Sequence, residues 1–269
     1  MTRKEQIKDI EYSVSEGVDL TQYTFEDYRI YEDKEDGEVY ASVTTVLDEI
    51  KADTFLEQWK AKNGSEAVDQ VLKRAAESGT KVHNVIETLC EQYMNGEEPT
   101  VYLLDEYGRL AYTEEEWKGV MRFADFFTTY VHEVILTESR LKSKKLKIAG
   151  TVDNVFVLKD GRKVLVDTKF ANNLSPKYSA QTWAYRYMYE EMFGEFIEYR
   201  ANLWLKASTR GYDKSGKEIQ GNGWKLVFHT EDERDQVVFM AAHTLFFDKY
   251  RNKQLAPLHR IYPTKISLL

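Results

Sequence analysis

The sequence predicts an α/β or α+β fold, in which helices flank a central mixed β-sheet. Helical patterns dominate up to about residue 130, and a β-rich stretch begins near Val134. Helix and strand patterns then alternate toward the C-terminus. Such an order is typical of a layer of helices packed on a mixed sheet. The 269 residues are many for one domain, but a single domain with excursions can hold them, so we expect one domain over 1–269.

The composition limits the class of protein. Hydrophobic residues make up 42% of the chain and charged residues 30%, as in ordinary globular proteins. No apolar run is as long as a membrane span, and the first residues are too polar for a secretory signal, so we expect a cytoplasmic protein. Cys90 is the only cysteine, which excludes an internal disulfide and a cysteine-based metal cluster. The net charge of −8 argues mildly against non-specific coating of nucleic acid.

The N-terminal part contains a hairpin signal and a first helix. Asp-Gly at 36–37, between two apolar segments, predicts a tight turn between strands. Asp53 or Thr54 can cap a following helix, and Gly64 can end it. The predicted N-terminal hairpin and helical part covers about residues 25–130.

Two further helices follow. The first should run from about Glu66 to Tyr93, with a break at Gly79. Thr113 and Glu116 form a capping-box pattern that opens the second.

The β-rich stretch predicts a meander of three strands. Its strands are VILTESRL, KIAGTVDNVFVL and KVLVDTKF, and its turns are SKK and KDGR. Ser175 and Pro176 then favour the start of a helix that ends at Gly194. Two more strands, EYRANLWLKAS and GWKLVFHT, precede a last helix that Thr230 and Glu233 should cap, and an irregular tail.

The hairpin at 147–170 carries charges beside its most apolar part. Asp167 and Lys169 are two residues apart, so they share one face of a strand. If the KDGR turn folds the two strands together, Asp153 approaches Asp167 across the pair. Two adjacent carboxylates repel each other unless one is protonated or a cation neutralises them, and carboxylates suit Mg²⁺ or Mn²⁺. The alternative is a salt-bridged surface pattern, because Asp-x-Lys is common on exposed strands.

Four motifs together resemble a known family. They are Gly79-Thr80-Lys81-Val82-His83, Gly150-Thr151-Val152-Asp153, Asp167-Thr168-Lys169, and Gln181 with Tyr185. In this order they resemble the PD-(D/E)XK nuclease superfamily, in its RecB-like and phage-type exonuclease branch, over residues 79–193. The resemblance implies a restriction-endonuclease-like core. Asp167 stands where many members have glutamate, which that branch tolerates.

The resemblance also implies roles for these residues. Asp153, Asp167, the backbone carbonyl of Thr168 and His83 would hold Mg²⁺ or Mn²⁺, and Asp153, Asp167 and Lys169 would be catalytic. Lys169 would orient the attacking water or stabilise the transition state. Gln181 and Tyr185 share a helix face and would contact the substrate, although Tyr185 fits an ordinary core position equally well. No iron–sulfur cluster is expected.

Glutamates and lysines near these motifs are secondary candidates. Glu138 fits a supporting acid or a solvated surface residue equally well. Glu87 fits a partner of His83 or a structural residue equally well. Lysines commonly protect a sheet edge, and from the basic run at 139–147 alone we favour that interpretation. Given the resemblance, three lysines of this basic run are predicted to guide the phosphates of DNA: Lys142, Lys144 and Lys145.

The sequence therefore predicts a metal-dependent DNA nuclease. The resemblance favours a phage-type exonuclease in DNA recombination or repair. A single-strand annealing protein is a candidate partner, and no membrane contact is expected. A homo-oligomer is left open. A nuclease-fold protein that binds DNA without cutting it, an endonuclease of the same fold and an acidic scaffold remain alternatives.

Overall fold

A computed structural model of the chain describes residues 13–16, 19–25, 28–50, 61–207, 223–251, 255–261 and 265–266. Within these residues all named strands belong to one nine-stranded mixed sheet with helices on both faces. The prediction of a mixed sheet flanked by helices is thus confirmed. None of the described helices has both the length and the apolarity needed to cross a membrane.

The elements have the following bounds. The strands are β1 Ser13–Glu16, β2 Leu20–Thr24, β3 Arg29–Asp33, β4 Val39–Ser42, β5 Val131–Ser143, β6 Ile148–Leu158, β7 Lys163–Lys169, β8 Tyr199–Trp204 and β9 Lys225–His229. The helices are α1 Val43–Leu47, α2 Ser65–Met94, α3 Glu114–Tyr130, α4 Lys177–Phe193, α5 Asp232–Lys249 and α6 Leu258–Ile261.

The sheet changes its pairing partner along β6. Strands β1 to β4 pair in antiparallel order, and β4 joins β6 in parallel through residues 148–149. Strand β5 pairs with β6 along the whole length of β6, so β4 and β7 must share the other edge. On that edge β7 pairs only with residues 154–157. Residues 150–153 lie between the two partners, and this interruption opens the sheet at one point.

Two layers of helices cover the sheet. Helices α4 and α5 pack on one face around Leu165 and Val155, and their core includes Trp183 and Phe239. Helices α2 and α3 pack on the other face around Phe156. The side chains of β7 point alternately to the two faces of the sheet. The alternation along β7 therefore directs Asp167 and Lys169 toward the α4 side, at the interruption of the sheet.

Several local predictions are confirmed. Gly37 takes φ 70° in the β3–β4 turn and Gly161 takes φ 89° in the KDGR turn, as tight turns require. Thr113 and Glu116 form a complete capping box at α3. Gly194 ends α4 with φ 67°.

Three helix starts or breaks differ from the prediction. Gly79 does not break α2, which continues from Ser65 to Met94 because its buried stripe extends past the glycine. Helix α4 begins after Pro176, so Ser175 lies one position before the cap. Helix α5 lacks the capping box that Thr230 and Glu233 predicted. The predicted helix start at 53–54 lies outside the described residues.

Candidate functional site

A cleft of about 630 Å³ opens at the interruption of the sheet. Its walls come from strands β2 to β7 and helices α1, α2 and α4. It contains eight of the candidate site residues from the sequence: His83, Glu87, Glu138, Asp153, Asp167, Lys169, Gln181 and Tyr185. The structure thus brings together residues that are distant in the chain.

Among the residues that the structure describes, His83, Glu138 and Asp153 form a cluster of possible metal ligands. His83 Nδ1 lies 3.5 Å from Asp153 Oδ2 and 3.7 Å from Glu138 Oε1. All three ligand atoms lie within 4.8 Å of one another. We call these residues the His83 cluster. Its donors come from α2, β5 and β6, so only the folded chain assembles it.

Glu138 reaches the cluster through an unusual backbone conformation. Its φ is 38°, although it lies inside β5. Thr137 pairs with Asn154 and Ser139 with Val152, so this register places Glu138 opposite Asp153. A positive φ costs a non-glycine residue free energy and persists where surrounding contacts enforce it. The conformation directs the carboxylate toward His83.

Asp153 is held by the neighbouring strand. Its Oδ2 accepts a 2.7 Å hydrogen bond from the backbone N–H of Thr168. Burial raises the pKa of Asp153, while the charges of His83 and Lys169 act against that rise. The Thr168 peptide is therefore adjacent to the cluster, and metal binding through its carbonyl stays a prediction.

Asp167 and Lys169 form a tight ion pair beside the cluster. Lys169 Nζ lies 2.8 Å from Asp167 Oδ2 and 4.4 Å from the centre of the Tyr178 ring. The Asp167 side chain is 1% exposed. Burial raises the pKa of Asp167 to about 6, although Lys169 opposes the shift. Burial alone would lower the pKa of Lys169, but Asp167 and Asp153 raise it, so the ammonium is strongly favoured.

The electrostatics of His83 follow from its two carboxylates. Burial alone would lower its pKa, but Asp153 and Glu138 outweigh that effect and raise the pKa to about 9. The imidazole therefore keeps its second proton at neutral pH. That proton does what a bound cation would do, because it neutralises part of the carboxylate charge.

Gln181 and Tyr185 lie on the cleft side of α4 and bond to each other. Gln181 Nε2 donates to Tyr185 Oη at 2.8 Å. A Cβ at Gly150 would come within 2.8 Å of the Tyr185 ring, so the ring packs directly on the β6 backbone. Both residues are buried, and Tyr185 combines the core position and the cleft position that the sequence left open.

The predicted DNA-guiding lysines lie away from this cleft. Lys142 forms an ion pair with the buried Asp33. Lys144 lies 3.4 Å from Asp36, and the exposed Lys145 is in the same turn. Their role in guiding DNA stays a prediction.

Two arginines line the cleft instead. Arg140 belongs to the basic run and donates to the backbone carbonyl of Leu20 at 2.6 Å. Arg29 comes from β3, and its buried Nε has no hydrogen-bond partner among the described residues. The sequence did not single out Arg29, because nothing local indicates that β3 forms a wall of the site.

The donor chemistry of the His83 cluster fits a divalent cation. One imidazole and two carboxylates suit Mn²⁺, and carboxylates also suit Mg²⁺. Asp167 is next to the cluster, but its two oxygens contact Lys169 and Asn202. The sequence ranked Asp167 as a ligand and left Glu138 open, whereas the closest group of donors contains Glu138.

No protein-family model and no curated protein matches the chain. Its functional interpretation therefore rests on the sequence motifs and on the geometry of the cleft.

Proposed function

We propose that the chain is a metal-dependent nuclease of the PD-(D/E)XK type, which hydrolyses phosphodiester bonds in DNA. One observation carries the proposal: the His83 cluster and the Asp167–Lys169 pair converge in one cleft at an interruption of the sheet. A salt-bridged surface pattern, the alternative from sequence, does not explain an Asp167 side chain that is 1% exposed.

His83, Glu138 and Asp153 would hold the metal, with Asp167 next to them. A divalent ion there would supply positive charge against the phosphate and lower the pKa of a bound water. The raised pKa of the Asp153 and Asp167 carboxyls favours this use, because buried carboxylates without a cation are costly.

Lys169 would act as a fixed cation in the reaction. Its raised pKa keeps it protonated, so it cannot serve as the general base. Asp167 and the face of Tyr178 hold its ammonium, which limits its freedom before substrate arrives. An ammonium positioned in this way stabilises the negative charge that develops on the phosphate oxygens.

Arg29 and Arg140 would bind phosphates that flank the scissile one. Guanidinium groups pair with phosphate oxygens through two parallel hydrogen bonds. Both arginines line the cleft. The net charge of −8 should weaken the grip on duplex interiors, which favours engagement at a DNA end. We therefore propose an exonuclease.

Linear DNA and covalently closed circles test the proposal together. With Mg²⁺ or Mn²⁺ the protein should degrade end-labelled linear DNA, spare closed circles, and stop when EDTA is added. Asp153→Asn and Lys169→Ala should both abolish cleavage. His132→Ala is a matched control, because His132 is exposed and lines a different pocket.

The other outcomes select the alternatives. Equal cleavage of circles would make the protein an endonuclease. Binding of DNA without cleavage at any metal concentration would favour a non-cleaving nuclease-fold protein. A protein that neither binds nor cleaves DNA would lead us to reject the proposal.

A further inference from the structure

Asn202 connects the Asp167 carboxylate to a histidine on β9, the edge strand of the sheet next to β8. Strands β7 and β8 run parallel with Asp167 directly beside Asn202. Asn202 is completely buried. Its Nδ2 donates to Asp167 Oδ2 at 2.6 Å and to the Asp167 backbone oxygen at 3.2 Å. Its Oδ1 lies 2.7 Å from His229 Nε2.

The hydrogen-bond partners fix the direction of the amide. Two oxygen acceptors of Asp167 face one end of the Asn202 side chain, so that end must be the NH₂ group. The carbonyl end then faces His229, which must donate from Nε2. A flipped amide would place Oδ1 against a carboxylate.

We propose that Asn202 and His229 form a positioning pair that holds the Asp167 carboxylate, and through it Lys169, in the orientation that cleavage requires. The proposal rests on the proposed nuclease function. Neither residue lines the DNA cleft, so neither is a catalytic residue. His229 lines a separate cavity of about 350 Å³, which also reaches Asn202.

The surroundings of His229 support a neutral, singly protonated ring. Burial and the charge of Arg200 lower the pKa of His229, while Asp235 and Asp167 act in the opposite direction. A neutral ring has one N–H, and the geometry assigns it to Nε2. Asp167 itself contacts Asn202 and is under the electrostatic influence of three charged groups: Lys169, Asp153 and His83.

Kinetics of single variants provide the first test. Asn202→Ala and His229→Ala should lower kcat for linear DNA about 10- to 100-fold, a loss comparable to that of removing a hydrogen-bond partner behind a metal ligand. The KM for DNA should change little. His229→Gln should recover most of the loss, because its amide N–H can replace Nε2–H, whereas His229→Asn is too short and should not.

His243→Ala is the matched control. His243 is also half-buried and bonds through Nε2, in its case to the Leu146 backbone oxygen at 2.8 Å. It should lose comparable stability without the kcat defect. If His229→Gln is as impaired as His229→Ala, or if Asn202→Ala keeps the wild-type kcat, the pair does not position Asp167.

A second readout does not depend on activity. In metal-free protein, ¹⁵N NMR of the histidine rings should show His229 protonated on Nε2, and Asn202→Ala should shift the Nε2 resonance because its hydrogen-bond acceptor is lost. Protonation on Nδ1 would overturn the inference. A wild-type protein that cleaves no DNA would reject the proposed function instead, and the NMR result would still decide the pair.

Discussion

If the His83 cluster binds the proposed divalent cation, the proton on His83 makes that binding depend on pH, and this dependence can be measured. His83 must lose its proton before Nδ1 can bind a cation. Asp153 and Glu138 raise its pKa to about 9, so raising the pH should strengthen binding. If the cluster held a neutral imidazole instead, the affinity would be flat above pH 7.

The magnitude follows from the same pKa. With a pKa of about 9, about 99% of His83 is protonated at pH 7, and the affinity for Mn²⁺ is about 100-fold below its high-pH limit. The dissociation constant should fall about tenfold per pH unit between about pH 6.5 and 8.5. Asp167, with a pKa of about 6, adds only about a tenth of a proton, so about one proton is released per Mn²⁺ at pH 7.

Calorimetry in two buffers of different ionisation enthalpy counts that proton directly. His83→Ala should bind Mn²⁺ more weakly and lose the steep dependence above pH 7. His132→Ala should behave like the wild type, because His132 is exposed and outside the cleft. A dissociation constant that changes less than about threefold over the range, with less than about half a proton released, would refute this account of His83.

Three further variants test other parts of the site. The free energy of unfolding in urea should be about 1 kcal/mol higher for Glu138→Gly than for Glu138→Ala, because only glycine tolerates the positive φ without strain. Equal stabilities of the two variants would contradict the strained backbone. Arg29→Ala should slow cleavage of an oligonucleotide about tenfold while leaving bis(p-nitrophenyl) phosphate unaffected, because that small diester has no flanking phosphate; equal losses on both substrates would remove Arg29 from a flanking subsite. The folded pKa of Asp167, about 6, exceeds its unfolded value, so this group's stabilising contribution is lost as pH rises through 6. Urea unfolding of Asp167→Asn relative to wild type should therefore shift in the variant's favour by about 2 kcal/mol between pH 4 and pH 7, and a constant difference would contradict the raised pKa.

The β6–β7 hairpin could be predicted from the sequence because its determinants are local. The KDGR turn contains a glycine where a positive φ is required, and strand alternation places Asp167 and Lys169 on one face. The motif around His83 was also correctly placed in a helix. Local signals of this kind need no knowledge of the sheet order.

Other parts of the site depend on long-range pairing. Glu138 lies opposite Asp153 of β6 and has a positive φ inside β5, a backbone conformation that no alternation pattern encodes. Asn202 meets Asp167 only because β8 adds in parallel to β7. Arg29 belongs to a strand that reaches the site through β4. The capping box predicted at Thr230 fails for a related reason, because Asp232 and Asp235 bind the buried Arg200 and set the start of α5.

The order in which the His83 cluster appears along the chain has a consequence for biosynthesis. A ribosome produces His83 first, then Glu138, and Asp153 only after most of the helical part has emerged. Asp153 is not held in place until Thr168 on β7 follows, since its carboxylate depends on that backbone N–H. Nascent chains and N-terminal fragments that stop before β7 should therefore be unable to retain a divalent ion. Uptake of the metal would then report that translation has passed this strand and that the sheet has closed around it.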